Sequence, residues 1–567
     1  MELDDALVLL GDFGFYQTII YILICTAGQV PSVWHMLAIS FIGAAPDHHC
    51  QLPPGRWPND SIPVVENRQG NVYLEDEVEY SSCKQYINFT SDSNETIPCT
   101  EGWWYDDTYY GSTIVTEWNL VCGRTGLVEI SQIVFMSGVM VGSLLFGQLS
   151  DRFGRRIVWF VSLWSQVFVG VMAAFTQHFA TFTVLRFIIG MIEQGVDITS
   201  YVMATEMFSP SKRAFAGIML TNFWASGMMA LAGIAYLLRD WRHLQLAISL
   251  PSLLTIPLWW LVPESTRWLL SRGRTSEAEE ILQKIARYNK VVVPDGGFIT
   301  ETNKDEARFT KASFEGSTDD YQLTEVNDHA KANQDISQPN TYEEKAYNIK
   351  HLFRTTHLRR VSLVMIFTWF VNALVYYGLS LNTGSLAGDP YLNFFLSGAV
   401  EIPAYIVSTI VVTRFGRRGP LCIFHVFGGV ACIVAAFIPE STDSGVDLTP
   451  LIVTTAMLGK FGIAGSYAIV FLYASELFPT VIRNLGVGMS SFSSRVGGIA
   501  APFIMYLGNF YIQAPMIIFG VLSAAAGILV LVLPETLNRR QPQTIEDAET
   551  MANVGYRDEC NSTKTAS

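Results

Sequence analysis

Apolar and polar residues are segregated along this chain in long blocks rather than alternating. Twelve apolar runs are recognisable, at roughly 15–42, 127–149, 157–177, 180–203, 214–236, 243–262, 358–379, 392–412, 420–438, 450–472, 484–508 and 514–533. A run of about 20 apolar residues is long enough to cross the ~30 Å hydrocarbon layer as a helix. Buried helices of a large water-soluble protein would be shorter and amphipathic. The pattern predicts an all-α membrane protein of twelve transmembrane helices.

The blocks between the runs give the orientation. Residues 43–126 form a long polar segment after the first run, with Cys50, Cys83, Cys99 and Cys122 and the acceptor sequences at Asn59, Asn88 and Asn94. Clustered cysteines with glycosylation sequences point to an oxidising, extracellular side. Four cysteines allow three pairings, and their spacing favours none. No CxxC spacing suggests a zinc site, and no metal is expected. With 43–126 outside, the short loops rich in Lys and Arg fall inside, as the positive-inside rule requires. Both ends and the segment 263–357 are then cytoplasmic, and the sequon at Asn561 should stay unmodified. The start, MELDDALVLLGDFG, lacks the basic region of a cleavable signal. Segment 263–357 opens with short amphipathic helices and continues with a stretch too poor in apolar residues to order itself.

The two halves repeat. Arg152-Phe-Gly-Arg-Arg156 returns as Arg414-Phe-Gly-Arg-Arg418, TEMFSPSKR (205–213) as SELFPTVIR (475–483), and VPESTRW as LPETLNR. The order is the same each time, so six spans, a linker and six spans form an internally duplicated carrier architecture. The expected organisation is 1–262 for the first half, 43–126 as an extracellular insertion in it, 263–357 as linker, 358–534 for the second half and 535–567 as tail. Arginines in a short loop anchor it at the membrane face. Asp151, Arg152, Arg155, Arg156 and Glu206, with Arg414, Arg417, Arg418 and Glu476, are the predicted cytoplasmic gate, whose base–acid pairs would form in one state and break in another.

The composition excludes some classes. Only 16% of residues are charged and the net charge is −14. Nucleic acid is not an expected partner, because phosphate neutralisation needs clustered Lys and Arg. No HExxH, GxSxG or Walker A motif is placed to work, so no enzymatic activity is expected. A channel would not need acid–base gates in both halves.

Asp-Arg-Phe-Gly-Arg-Arg after the second span and Pro-Glu-Ser-x-Arg-Trp-Leu after the sixth resemble the major facilitator superfamily. APDHHC before the extracellular segment narrows the resemblance to its organic cation, organic anion and carnitine transporters. It runs from about residue 5 to about 540. It implies a plasma-membrane solute carrier that works by alternating access, needs no cofactor and has no obligate protein partner; sodium and protons are the candidate coupling ions. A receptor or sensor of the same fold, or an organic anion carrier or exchanger, are the rival readings.

Ionisable residues within spans are costly and point to function. Glu193 and Asp197 lie one turn apart in span 4; Glu401 is central in span 8, Lys460 in span 10 and Arg495 in span 11. A set of both signs suits a zwitterion, with carboxylate near Arg495 and ammonium near Glu401 or Glu193; the competing view is that these charges pair with one another. Arg495 resembles the anion and carnitine branches, where cation carriers have an aspartate. VYYGLSLNTGSLAGDP, AVEIPAYI and GKFG resemble the carnitine branch, whereas spans 5 and 6 resemble the cation branch. Glu193 and Asp197 match no branch. Trp224, Trp369, Tyr376 and Tyr467 resemble cavity-lining aromatics, which attract amine cations, and His35 resembles a cavity position of the anion branch. The expected partners are a small organic zwitterion or cation and the lipid bilayer.

Overall fold

The structure, a computed structural model, describes residues 3–53, 58–63, 80–87, 95–294, 297–299, 348–386, 388–439, 441–442, 446–537, 539 and 541–549. Asn88, Asn94 and Asn561 and most of the charge-mixed linker lie outside these residues. Asn59 falls in a short helix, Pro58–Ser61.

Among the described residues, ten helices are long and apolar enough to cross a membrane. Numbered as spans, they are span 1 (Phe15–Ile42), 2 (Cys122–Phe153), 3 (Arg155–Ala174), 4 (Phe179–Glu206), 5 (Phe215–Leu237), 6 (Trp241–Leu261), 7 (Thr356–Gly384), 8 (Pro390–Phe415), 9 (Arg418–Phe437) and 10 (Thr449–Leu477). Helices Arg483–Leu507 and Ala514–Val530 take the places of spans 11 and 12 in the packing. Span 11 is the more polar, because Arg483, Arg495 and four serines interrupt it, and span 12 has 17 residues.

The packing repeats as the sequence does. In the first half, span 2 packs on 4, 3 on 4, 1 on 5, 1 on 4 and 3 on 6. In the second half, 8 packs on 10, 9 on 10, 7 on 11, 7 on 10 and 9 on 12, which is the same set advanced by six. The halves meet where span 2 packs on 11 and span 5 on 8. With each interior face turned inward, the outer faces are left apolar, as Leu144, Phe168, Leu254 and Phe427 show by their exposure. Lipid tails, not water, suit such a surface.

At one face lies the cysteine-bearing segment. Strand β1 (His48–Cys50) pairs antiparallel with Trp103–Tyr105, and Lys84–Tyr86 with Thr96–Pro98. Disulfides join Cys50 to Cys99 and Cys83 to Cys122, one of the three arrangements the sequence allowed. The two halves touch below it through an aromatic plug. Phe41 of span 1 stacks on Tyr391 of span 8 at 5.3 Å and tilts against Phe394 at 4.8 Å. Tyr236 of span 5 meets Tyr391 edge-on, and the Tyr391 hydroxyl donates to the Tyr109 carbonyl at 2.7 Å.

The opposite face carries both RFGRR loops. Here the sequence reading missed two docked segments. Helix Leu3–Leu10 packs on Thr275–Asn289, and Asp12 accepts bonds from the Ser209 N–H and hydroxyl, both at 2.8 Å. At the second half, the Pro542 carbonyl accepts the Thr480 N–H at 3.0 Å, and Ala548 is buried in the base. The Asp12 and Pro542 contacts tie the two ends to the loop after span 4 and to its repeat after span 10.

Candidate functional site

A charged side chain in a low-dielectric interior must find a counter-charge, hydrogen bonds or water. The mid-helix ionisable residues divide on that criterion into two sets.

The first set belongs to the second half. Lys460 Nζ lies 2.9 Å from Glu401 Oε1, with both side chains buried. Tyr405, one turn along span 8, donates its hydroxyl to Glu401 Oε2 at 3.0 Å. Lys460 also donates to Ser380 Oγ at 2.5 Å and to the Tyr376 carbonyl at 3.4 Å, and it sits 3.4 Å from the centre of the Tyr376 ring. Trp224, from span 5 of the other half, donates its indole N–H to the Tyr376 hydroxyl at 2.8 Å. The charges in this network are matched: the acid and base meet as an ion pair, although Glu401 Oε1 has no hydrogen bond of good geometry, and Trp224 links them to the first half.

The second set lies between the halves. Glu193 is fully buried; the Gln194 amide donates to one of its oxygens at 2.7 Å, and among the described residues its other oxygen has no hydrogen bond of good geometry, with Ser32 beside it. Asp197, one turn on and partly exposed, accepts from the Gln29 amide of span 1 at 2.9 Å. Arg495 of span 11 faces them, within electrostatic reach of Glu193, Asp197, Tyr377 and Tyr467. Among the described residues no ion pair of 4.0 Å or less joins Arg495 to either acid, and Arg495 Nε has no partner. Tyr467 flanks the set, 5.6 Å from the Tyr376 ring and 5.9 Å from Phe471.

Two other candidates are packed within their own half. Trp369 is 1% exposed with its ring edge-on to Phe471 at 4.2 Å. His35 is equally buried, and its carbonyl accepts the Arg186 guanidinium at 2.8 Å. Arg186, an interior charge with no carboxylate in ion-pair distance among the described residues, is held by that carbonyl, by Gln132 at 2.8 Å and by the Phe135 ring at 4.1 Å, while its Nε makes no hydrogen bond.

At the RFGRR face, the middle arginine of each repeat reaches an acid. Arg155 lies 2.9 Å from Asp151 and 3.6 Å from Glu206; Arg417 lies 2.9 Å from Glu476. Each of the Arg155–Glu206 and Arg417–Glu476 pairs stays inside its own half, joining spans 3 and 4 or spans 9 and 10. Arg152 and Arg414 are exposed. Arg156 donates to the Trp259 carbonyl and stacks on its ring at 4.6 Å.

A second acid in each half completes the device. Glu264, of PES, accepts the backbone N–H groups of Arg155 at 3.0 Å and Arg156 at 3.2 Å. Glu535, of PET, accepts those of Arg417 at 2.9 Å and Arg418 at 3.0 Å. A carboxylate at a helix N-terminus satisfies unpaired N–H groups and complements the helix dipole. Burial pushes the Glu264 carboxyl above the usual carboxylate range, and these N–H groups pull it back. The next residue reaches the arginine-paired acid: Ser265 donates to Glu206, and Thr536 to Glu476 at 2.5 Å. The turns pass through Gly154 and Gly416 at φ +100° and +90°, a conformation that side chains resist. The repeated PE was visible in the sequence, but its capping role was not, because the partners are backbone groups more than 100 residues away.

Residues 85–547 match the sequence model of the sugar (and other) transporter family. The chain is 42% identical to an organic cation transporter protein of Drosophila melanogaster, over 97% of this chain and 95% of that one. It is 34% identical to a beta-alanine transporter of the same organism, covering 97% and 89%, and 34% identical to the human organic cation/carnitine transporter 2, covering 96% and 93%. Among solved structures, the inward-open xylose transporter of E. coli superposes with a TM-score of 0.60 over 94% of this chain and 100% of that one, at 16% identity.

Proposed function

Because the chain belongs to the sugar (and other) transporter family, within the major facilitator superfamily, we propose that it is a secondary carrier of small organic cations and zwitterions. It acts at the plasma membrane by alternating access, with the RFGRR face and both chain ends in the cytoplasm and the disulfide-bonded segment outside. One observation carries the substrate reading: acids from the first half and a base from the second face each other across the midline without forming an ion pair. A dicarboxylate would meet Glu193 and Asp197; a zwitterion meets a charge of the right sign at each end. Carnitine and β-alanine, named for two relatives, are both zwitterions, and organic cations share their positive end. Tyr467, which flanks the set, supplies a ring face for such an end; the Tyr376 ring already carries Lys460.

Uptake by cells expressing the chain tests this. Labelled β-alanine, carnitine and tetraethylammonium should accumulate above control cells, and a dicarboxylate should not. Uptake of dicarboxylates alone would overturn the reading. Repeating the assay without sodium and at shifted external pH identifies the coupling ion.

A further inference from the structure

We infer that the cationic end of the substrate is held by Asp197 of span 4, steadied by Gln29 of span 1, and that Glu401 takes no direct part. This rests on the carrier reading above and assigns its charges to particular residues.

Glu401 is the more obvious acid, central in its span and surrounded by aromatics. Its charge is already matched. Lys460 stands 2.9 Å away, Tyr405 occupies its other oxygen, and the carboxylate is sealed from solvent. An incoming ammonium would have to displace a lysine that Ser380 and Tyr376 also hold. Asp197 is the reverse case. It is partly exposed, its hydrogen bond comes from a neutral amide, and no base among the described residues lies within ion-pair distance. Gln29 fixes one oxygen and leaves its charge uncompensated. Behind it, Glu193 is fully buried and, among the described residues, one of its oxygens lacks a hydrogen bond of good geometry; a carboxyl so enclosed favours its neutral form, so the charge at this spot is that of Asp197. Arg495 completes the arrangement from the second half, with its Nε also unpartnered.

A zwitterion held in this way has its ammonium on spans 1 and 4 and its carboxylate on span 11. The substrate is then itself the electrostatic link between the halves at mid-depth, and a simple amine fills only the first-half end.

The test compares Asp197→Asn, Asp197→Glu and Gln29→Leu with the unaltered carrier, normalised to surface protein. The probes are labelled β-alanine, labelled tetraethylammonium, and propionate as a competitor that lacks the amine. Asp197→Asn should raise the half-saturating concentration of both labelled probes at least tenfold and leave propionate competition within twofold. Asp197→Glu should recover part of the loss. Gln29→Leu keeps the carboxylate, so it should shift both labelled probes two- to fivefold the same way; it also decides the matter if Asp197→Asn does not reach the surface. Unchanged amine affinity in Asp197→Asn, or equal loss of amine-bearing and amine-free probes, overturns the inference, as does a tenfold amine-selective shift confined to Glu401→Gln. Failure of the unaltered carrier to take up either labelled probe rejects the carrier reading instead.

Discussion

Glu401 in span 8 and Glu193 in span 4 are both mid-helix acids with no exposed surface, yet they are treated differently. Glu401 is answered by Lys460, Tyr405 and, through Lys460, by Ser380. Glu193 is answered by one neighbouring amide, and Asp197 beside it by another. The second half pairs Glu401 with Lys460 internally and presents Arg495; the first half presents Asp197, which among the described residues has no base within ion-pair distance. At the RFGRR face the contrast disappears, since both halves carry the same arginine, the same paired glutamate and the same capping glutamate. Duplication has been kept where a half must hold itself together, and has diverged where the halves face one another.

The largest expected effect separates these two kinds of acid. Lys460→Met leaves the Glu401 charge buried without its partner, a loss of roughly 3–5 kcal/mol. Surface expression and the melting temperature of purified protein should fall sharply. The double variant Glu401→Gln with Lys460→Met should recover most of that stability, because no lone charge remains. Glu193→Gln removes no ion pair and should leave melting within a few degrees of the original or above it. Equal destabilisation by Glu193→Gln and Lys460→Met would break the comparison.

The next effect should be shared by both halves. A Cβ at Gly154 would run into the Glu264 carboxylate, and one at Gly416 into that of Glu535, at backbone angles that add strain of roughly 1–3 kcal/mol. Gly154→Ala and Gly416→Ala should each lower the melting temperature, by amounts within twofold of one another. A loss confined to one variant would show that the capping glutamates are not equivalent.

What the sequence made legible follows from the range of each interaction. Spans were legible because hydrocarbon imposes length and polarity on contiguous residues: the run at 15–42 became Phe15–Ile42, and that at 420–438 became Arg418–Phe437. The Arg–Glu partnerships were legible because they occur twice in the same order. The docking of Leu3–Leu10 was not, since an eight-residue helix has no periodicity to distinguish it from a loop, and its partner lies more than 260 residues away. Gln29 was missed as well. A single amide in an apolar run gives no sign of its partner, and only the fold brings it to Asp197. The charged set between spans was found residue by residue, but which charges pair could not be decided, because helix order does not fix which faces meet.

The smallest expected effect lies within the duplicated device. Arg155 has two acids, Asp151 at 2.9 Å and Glu206 at 3.6 Å, and the Asp151 side chain is 74% exposed. Arg417 has Glu476 at 2.9 Å, the two side chains being 16% and 12% exposed; Thr413 stands where the first half has Asp151. An exposed i, i+4 pair contributes little, and a shielded pair contributes more, on the order of 1–4 kcal/mol. Arg417→Ala should therefore reduce transport more than Arg155→Ala, with surface protein retained in both. Asp151→Ala should pass nearly unnoticed, because Arg155 keeps Glu206 and its loop keeps the cap from Glu264. Placing an acid at the matching site, Thr413→Asp, should draw Arg417 partly away from Glu476 and lower transport slightly. Uptake rates at fixed surface density provide the measurement. A larger loss from Asp151→Ala than from Arg417→Ala would mean that the first-half loop depends on its exposed pair, and that the two devices, alike in sequence, do different work.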